Sequence, residues 1–134
     1  MRVSLFTDGG SRGNPGPSAY AYIICEADKV LEERGVLIGR GTNNEAEYLG
    51  LINGLERCLA LGANAVDVTM DSELVVRQMQ GRYQVKAANL KQLHEKAKAL
   101  SSRFFNFSIQ HSRRCDTKIP EADRLVNRAL DAAR

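Results

Sequence analysis

Apolar and polar positions in the first third of the chain predict three strands. Residues 3–8 form a short apolar run that leads into a stretch rich in glycine and proline. Residues 19–39 divide into two further apolar segments with Asp28 and Lys29 between them, which is the pattern of a β-hairpin. The first strand followed by this hairpin predicts a three-stranded antiparallel meander.

The spacing of apolar side chains changes at Thr42, and from there to Gly62 they recur every three to four residues. This spacing predicts a helix with an Asn/Thr start and a glycine stop. Residues 65–71 alternate again and predict a fourth strand. Ser72 is a good helix N-cap residue, and Gly81 marks the end of the short helix that follows it.

The last third of the chain predicts two more helices with a strand between them. The first of these helices begins near residue 89. The strand covers residues 104–111, and alternation places Phe105, Phe107 and Ile109 on its inward face. Pro120 suits the first turn of the final helix.

The predicted element order is therefore βββαβααβα. Because the later strands alternate with helices, we expect them to add in parallel to the first strand. The prediction is an α/β fold with a five-stranded mixed sheet, three antiparallel strands followed by parallel additions, and helices on both faces. No repeat or second domain is evident, so residues 1–134 are expected to form a single domain.

The net charge of +3 is unevenly distributed along the chain. Residues 1–80 carry 7 basic and 11 acidic side chains, whereas residues 81–118 carry 9 basic and only 2 acidic ones. A basic segment beside an acidic half suits a protein that binds a polyanion and keeps carboxylates for another purpose. The alternative is a lysine-rich helix that is simply solvated.

Other features of the composition exclude several classes of protein. The three cysteines are widely spaced and form no CxxC pair, so buried or incidental thiols are expected rather than a disulfide framework. No apolar run approaches the ~18 residues of a membrane span. A cytoplasmic monomer is therefore the default expectation.

Four carboxylates, Asp8, Glu47, Asp71 and Asp123, are candidates for a shared site. Two of them end strands, and the other two lie in the first turns of helices, so all four can meet at the carboxyl edge of a parallel sheet. An all-oxygen set suits Mg²⁺ or Mn²⁺ rather than zinc. Two such ions about 3.5–4 Å apart would support attack of water on a phosphodiester. The alternative is that each residue serves only as a turn residue or helix cap.

Four motifs, "TDGGSRGNPGP", "TNNEAEY", "MDSELV" and "PEADRLVNRAL", closely resemble those of type 1 ribonuclease H in order and spacing. The resemblance covers residues 3–131. It implies a ribonuclease H-like fold and an endonuclease that cleaves the RNA strand of RNA–DNA hybrids, leaving 5′-phosphate and 3′-hydroxyl ends. It also implies two bound Mg²⁺ or Mn²⁺ ions.

The same resemblance assigns roles to individual residues. It places Asp8, Glu47, Asp71 and Asp123 in the metal-binding positions of the family, with Glu47 rather than Glu45 selected by the preceding asparagines. Asn14 and Thr42 match residues that contact phosphates of the DNA strand, and Asn43 and Asn44 match residues in the minor groove. The full set of implied substrate contacts is Gly10, Ser11, Asn14, Thr42, Asn43, Asn44 and Glu73, although the family often carries glutamine at this last position. The alternatives are a helix cap for Thr42 and an Asn-Pro turn for Asn14.

Two features depart from the family pattern. The loop before the last helix lacks the histidine that many members have, because His111 belongs to the end of the preceding strand. Arg114 is the preferred replacement over Arg113 and Lys118, and a flexible basic loop is the alternative. The chain also lacks an extra basic helix after the second helix. Substrate binding would then depend on positions such as Arg82, Lys86 and Lys91, with strong salt sensitivity.

Two other functions compete with this prediction. One is a catalytically weak or idle module that binds RNA–DNA hybrids on the same fold; the four intact carboxylates argue against it, and the missing loop histidine keeps it open. The other is a related nuclease such as a junction resolvase or exonuclease, which the "TNN" stretch disfavours. A nucleotide-phosphate loop at residues 9–16 is disfavoured because neither GxxxxGK[ST] nor GxGxxG is present.

Overall fold

The computed structural model describes residues 1–112 and 118–132. Its elements follow the order βββαβααβα, which confirms the prediction. The strands and helices are β1 (Arg2–Ser11), β2 (Gly16–Glu26), β3 (Lys29–Gly41), α1 (Asn43–Ala60), β4 (Ala65–Met70), α2 (Glu73–Met79), α3 (Ala88–Ser101), β5 (Asn106–His111) and α4 (Ile119–Ala132). No helix in these described ranges is both long and apolar enough to cross a membrane.

The five strands form one mixed sheet with the order β3-β2-β1-β4-β5. β1, β2 and β3 pair antiparallel, and β4 and β5 add in parallel to β1. This arrangement confirms the predicted fold class. Because β1 and β4 are parallel neighbours, the segments that follow them emerge at the same edge of the sheet.

Helices cover both faces of the sheet. On one face, α1, α2 and α3 pack against β-strand side chains that include Leu5, Val66 and Val68. On the other face, α4 is the one helix in the described residues, and it packs against β1, β2 and β3. Each face thus buries the apolar stripe of its helices, as a layered α/β domain requires.

Each helix layer lies close to the sheet at a glycine. A Cβ atom added to Gly9 would lie 2.4 Å from the carbonyl carbon of Ala46 in α1. One added to Gly35 would lie 2.6 Å from the carbonyl oxygen of Leu125 in α4. These glycines allow helix backbones to lie directly on the strands, which brings α1 close to the end of β1.

The structure corrects two local predictions. β5 begins at Asn106 rather than at residue 104, and Phe105 is 88% exposed while Phe104 is buried. The backbone N–H of Phe105 donates to the carbonyl oxygen of Asn64 at 2.8 Å, so Phe105 still belongs to the connection between α3 and β5. In the hairpin, the strands are joined by residues 27–28, so Lys29 already belongs to β3.

Candidate active site

Asp8 and Asp71 lie at the same edge of the sheet. The parallel pairing of β1 with β4 ends with Thr7 opposite Met70, so the two aspartates occupy the next position on neighbouring segments. The residue Asp8 is only 7% exposed, and the side chain of Asp71 is 25% exposed. Two acidic side chains are therefore held side by side with limited access to water.

Glu47 joins these aspartates from α1. It is 9% exposed, and among the described residues its Oε1 atom has no hydrogen-bond partner. Burial raises the pKa of Glu47 well above its usual range, and the neighbouring charges of Asp8 and Asp71 raise it further. Hydrogen bonds from the Gly9 N–H and the Ser72 hydroxyl partly oppose this shift. A buried carboxylate oxygen without a partner, beside two other carboxylates, is stabilised by a hard cation.

Asp123 approaches from the opposite face of the sheet, on α4. Val126, one turn later in the same helix, would lie 3.5 Å from a Cβ atom on Gly10. The side-chain amide of Asn127 donates to the carbonyl oxygen of Asp123 at 3.1 Å. The helix that carries Asp123 therefore packs over the segment that follows Asp8.

Asp8 and Asp71 act electrostatically on Glu47, but the carboxylates do not converge on one point. Within residues 1–112 and 118–132, no group of three His, Cys, Asp or Glu side chains is arranged to hold a metal ion. Asp8 and Asp71 are nevertheless close enough to Glu47 for their charges to raise its pKa, in addition to the larger effect of burial.

Glu45 and Glu47 have different roles in the fold. Thr42 is the N-cap of α1, and its hydroxyl accepts from the Glu45 N–H at 3.2 Å. The carboxylate of Glu45 in turn accepts from the Thr42 N–H at 2.8 Å, which completes a capping box. Glu45 therefore stabilises the start of the helix, while Glu47 is directed towards Asp8.

The glycine-rich loop after β1 is bonded to the start of α1. The Ser11 N–H donates to Oδ1 of Asn43 at 2.8 Å, and the Asn43 N–H donates to Oδ1 of Asn14 at 3.1 Å. The Ser11 hydroxyl also lies 3.1 Å from the carbonyl oxygen of Gly41. The bonds bring most of the predicted substrate-contacting residues into one surface: Gly10, Ser11, Asn14, Thr42, Asn43 and Asn44.

Glu73 lies apart from that surface, in the first turn of α2. Its carboxylate is 3.7 Å from the guanidinium of Arg77 and 3.5 Å from the hydroxyl of Tyr83. These contacts connect α2 with the segment that follows it. Arg114, the predicted replacement for the loop histidine, lies outside the described residues.

Sequence reasoning placed His111 correctly at the end of β5 but missed its contact with Asp71, and it missed the partial burial of His94. His111 ends β5 opposite Met70, and its Nε2 atom is 3.9 Å from Oδ1 of Asp71. The parallel pairing of β4 and β5 was the signal, because it brings both strand ends to one edge. His94, which its lysine-rich helix predicts to be exposed, is half-buried and lies 3.2 Å from the carbonyl oxygen of Gln78.

Comparisons with known proteins give consistent similarities. A family model described as reverse transcriptase-like matches residues 6–129. Ribonuclease HI of Halobacterium salinarum is 38% identical over 133 residues, which are 98% of this chain and 66% of that protein. The bifunctional protein Rv2228c of Mycobacterium tuberculosis is 48% identical over 135 residues, which are 99% of this chain and 36% of that protein. This chain thus spans just over a third of the mycobacterial protein's length.

Solved structures show the same similarity in three dimensions. The N-terminal RNase H domain of Rv2228c, solved as a fusion with maltose-binding protein, has a TM-score of 0.93 and 47% identity, with coverage of 99% of this chain and 96% of that one. LC11-RNase H1, isolated from compost by a metagenomic approach, was solved in complex with an RNA/DNA hybrid. That complex has a TM-score of 0.90 and 41% identity, with coverage of 98% of each chain.

Proposed function

Because this chain belongs to the type 1 ribonuclease H family, we propose that it hydrolyses the RNA strand of RNA–DNA hybrids. The observation that carries the proposal is the buried Glu47 carboxylate, which lies beside Asp8 and Asp71 with one unpartnered oxygen. The similarity to LC11-RNase H1, which was solved with an RNA/DNA hybrid, supports the same substrate here.

The donor set suits divalent cations with oxygen ligands. We propose that Asp8, Glu47, Asp71 and Asp123 hold two Mg²⁺ or Mn²⁺ ions. Such ions would supply an activated water and stabilise the leaving 3′ oxygen, which gives 5′-phosphate and 3′-hydroxyl products. The Gly9 N–H and the Ser72 hydroxyl hold the Glu47 carboxylate in place at this edge. The loop residues and α1 thereby preorganise the site.

Recognition of the hybrid is proposed to occur on the surface that joins the glycine-rich loop to α1. RNA differs from DNA at the 2′-hydroxyl, which both donates and accepts hydrogen bonds in a wide minor groove. The amides of Asn43 and Asn44 and the backbone near Gly10 and Ser11 offer both kinds of partner. Because Asn43 already bonds to Ser11 and Asn14, little further ordering is needed when a duplex binds.

The DNA strand would be held through its phosphates. A cleft of about 240 Å³ lies beside the end of β3 and the start of α1, and its lining includes Arg40, Gly41 and Asn89. Three further cations are exposed: Arg82 and Lys86 lie between α2 and α3, and Lys91 lies in the first turn of α3. Contacts of these side chains with phosphates would release counterions, so affinity should fall steeply with added salt.

A cleavage assay with matched substrates tests the proposal. A labelled hybrid, an RNA duplex and a DNA duplex are each incubated with Mg²⁺, Mn²⁺ or a chelator. Cleavage confined to the RNA strand of the hybrid and abolished by the chelator is expected. Asp71→Asn should reduce the rate by about 10²-fold or more, whereas Asp28→Asn in the exposed hairpin turn should not.

Three results would contradict parts of this proposal. Full cleavage by Asp71→Asn would remove Asp71 from the catalytic set. Hybrid binding without cleavage by the parent protein would instead favour the idle binding module. Product ends are read by ligation and phosphatase sensitivity, and 3′-phosphate ends would refute the proposed chemistry.

A further inference from the structure

The segment between α2 and α3, residues 80–87, is here called the α2–α3 linker. It has no helix or strand of its own, yet it is bonded to α2. The N–H groups of Arg82 and Tyr83 donate to the carbonyl oxygen of Arg77 at 2.9 and 3.2 Å. The side-chain amide of Gln78 donates to the carbonyl oxygen of Gln84 at 3.4 Å. Residues 82–84 of the linker are therefore held against the end of α2.

Gln78 connects this linker to the core. Its side chain is buried, at 4% exposure, and its oxygen accepts from the Tyr48 hydroxyl at 2.5 Å. Its backbone carbonyl lies 3.2 Å from Nε2 of His94 on α3. A buried amide with both its oxygen and its nitrogen bonded favours one arrangement of the groups around it. Gln78 thus joins α1, α2, α3 and the linker at one point.

The linker presents a surface suited to a nucleic-acid strand. Arg82 and Lys86 are exposed, Tyr83 is 46% exposed, and Lys91 on α3 lines the same cleft as Tyr83. A cleft of about 380 Å³ separates the linker from α3. Cationic side chains beside an exposed aromatic ring can contact phosphates and stack on sugars or bases.

We propose that Gln78 is a positioning residue for substrate binding: by bonding to Gln84 it holds the linker in the conformation that presents Arg82, Tyr83 and Lys86 to the nucleic acid. Gln78 is buried and does not touch the substrate itself. A linker that is already ordered loses less conformational freedom when the duplex binds. This inference rests on the proposed function, because it takes the hybrid as the polyanion.

Three variants separate positioning from a purely structural role. Gln78→Met keeps an unbranched side chain but leaves the Tyr48 hydroxyl without its acceptor. Tyr48→Phe removes that hydroxyl and keeps the bond from Gln78 to Gln84. The double variant Tyr48→Phe/Gln78→Met removes both partners, which costs less stability than an unpaired buried group. Only the two variants that lack Gln78 lose the bond to the linker.

Each variant is measured for thermal stability, for kcat and KM with a labelled hybrid, and for hydrogen–deuterium exchange of residues 82–87. The KM should rise about 3–10-fold in Gln78→Met and in the double variant, with kcat within about 2-fold of the parent value. Exchange in the linker should accelerate in the same two variants. Tyr48→Phe should lose stability without either change.

Two results would overturn the proposal. One is a KM that follows thermal stability across the three variants, because Gln78 would then be a structural residue only. The other is unchanged exchange in the linker when Gln78 is replaced. A parent protein that does not cleave the hybrid would refute the proposed function separately, and the exchange comparison would still show whether Gln78 anchors the linker.

Discussion

The two faces of the sheet are covered very differently. Three helices pack on one face around large side chains such as Tyr48, Leu51 and Ile52. On the other face α4 is the one helix in the described residues, and its buried side chains pack against small side chains that include Ala19 and Ala21. Buried apolar area is the main favourable term in folding, so the first face contributes most of the stability.

The candidate active site extends across both faces. Glu47 comes from α1 in the larger core, whereas Asp123 comes from α4 on the smaller one. Arg12, in the glycine-rich loop, adds an ion pair with Asp131 of α4 at 2.7 Å. We therefore expect substitutions beneath α4 to reduce the cleavage rate with little loss in the free energy of unfolding. Substitutions beneath α1 should reduce both quantities.

The largest predicted difference comes from truncating one core residue on each face. Leu51→Ala should lower the free energy of unfolding by about 2–5 kcal/mol, because it leaves a cavity in the three-helix core. Val126→Ala removes two methyl groups beneath α4 and should cost only about 1.5 kcal/mol. Urea denaturation measures both values. Equal losses on the two faces would contradict the comparison.

The same pair tests activity under conditions where both variants remain folded. Val126→Ala should reduce the rate of hybrid cleavage more than its small loss of stability implies, because Asp123 lies one turn away on the same helix. If its kcat equals that of the parent protein, α4 is held by contacts other than this cluster.

A smaller effect is expected from the ion pair between the loop and α4. Both side chains are partly exposed, so Arg12→Ala and Asp131→Asn should each change stability by less than about 1 kcal/mol. Each should nevertheless raise the KM for hybrid, because the loop loses a contact that holds it. Arg128→Ala, an exposed change on the same helix, serves as the control. A KM that rises only in Arg12→Ala would show that Arg12 acts as a direct cation instead.

The smallest predicted effect is a pH-dependent one on the α1 face. Hydrogen bonds from Arg57 and from the Tyr22 hydroxyl lower the pKa of Glu32 from its usual value of 4.5. A carboxylate whose pKa is lowered by folding adds stability above its unfolded pKa, and this contribution is lost as the pH falls through the folded value. The partly exposed group should contribute at most about 1 kcal/mol.

Thermal unfolding of the parent protein and of Glu32→Gln between about pH 7 and pH 3 measures this contribution. The parent should be the more stable of the two near neutral pH, and the difference should shrink below about pH 4.5 as the unfolded state binds a proton. A difference that grows on acidification would reverse the assigned sign.

Local periodicity and motif spacing were sufficient to predict the order of elements, the mixed sheet and the helices on both faces. The order of elements follows from side-chain patterns two to four positions apart, which a single sequence displays directly, and the parallel addition of the later strands follows from the helices between them. Ser72 and Thr42 could be predicted as helix caps for the same reason, since the side chain that caps lies within three residues of the N–H that it satisfies.

What only the tertiary structure decided was which distant side chains meet. The pairing of β4 with β5 brings His111 to Asp71, and the backbone bond from Phe105 to Asn64 comes before the first residue of β5 and leaves the Phe105 side chain exposed. The network around Gln78 likewise joins residues up to 46 positions apart, from Tyr48 to His94. The energies of such contacts depend on how helices pack on the sheet, and no periodicity along the chain encodes that packing.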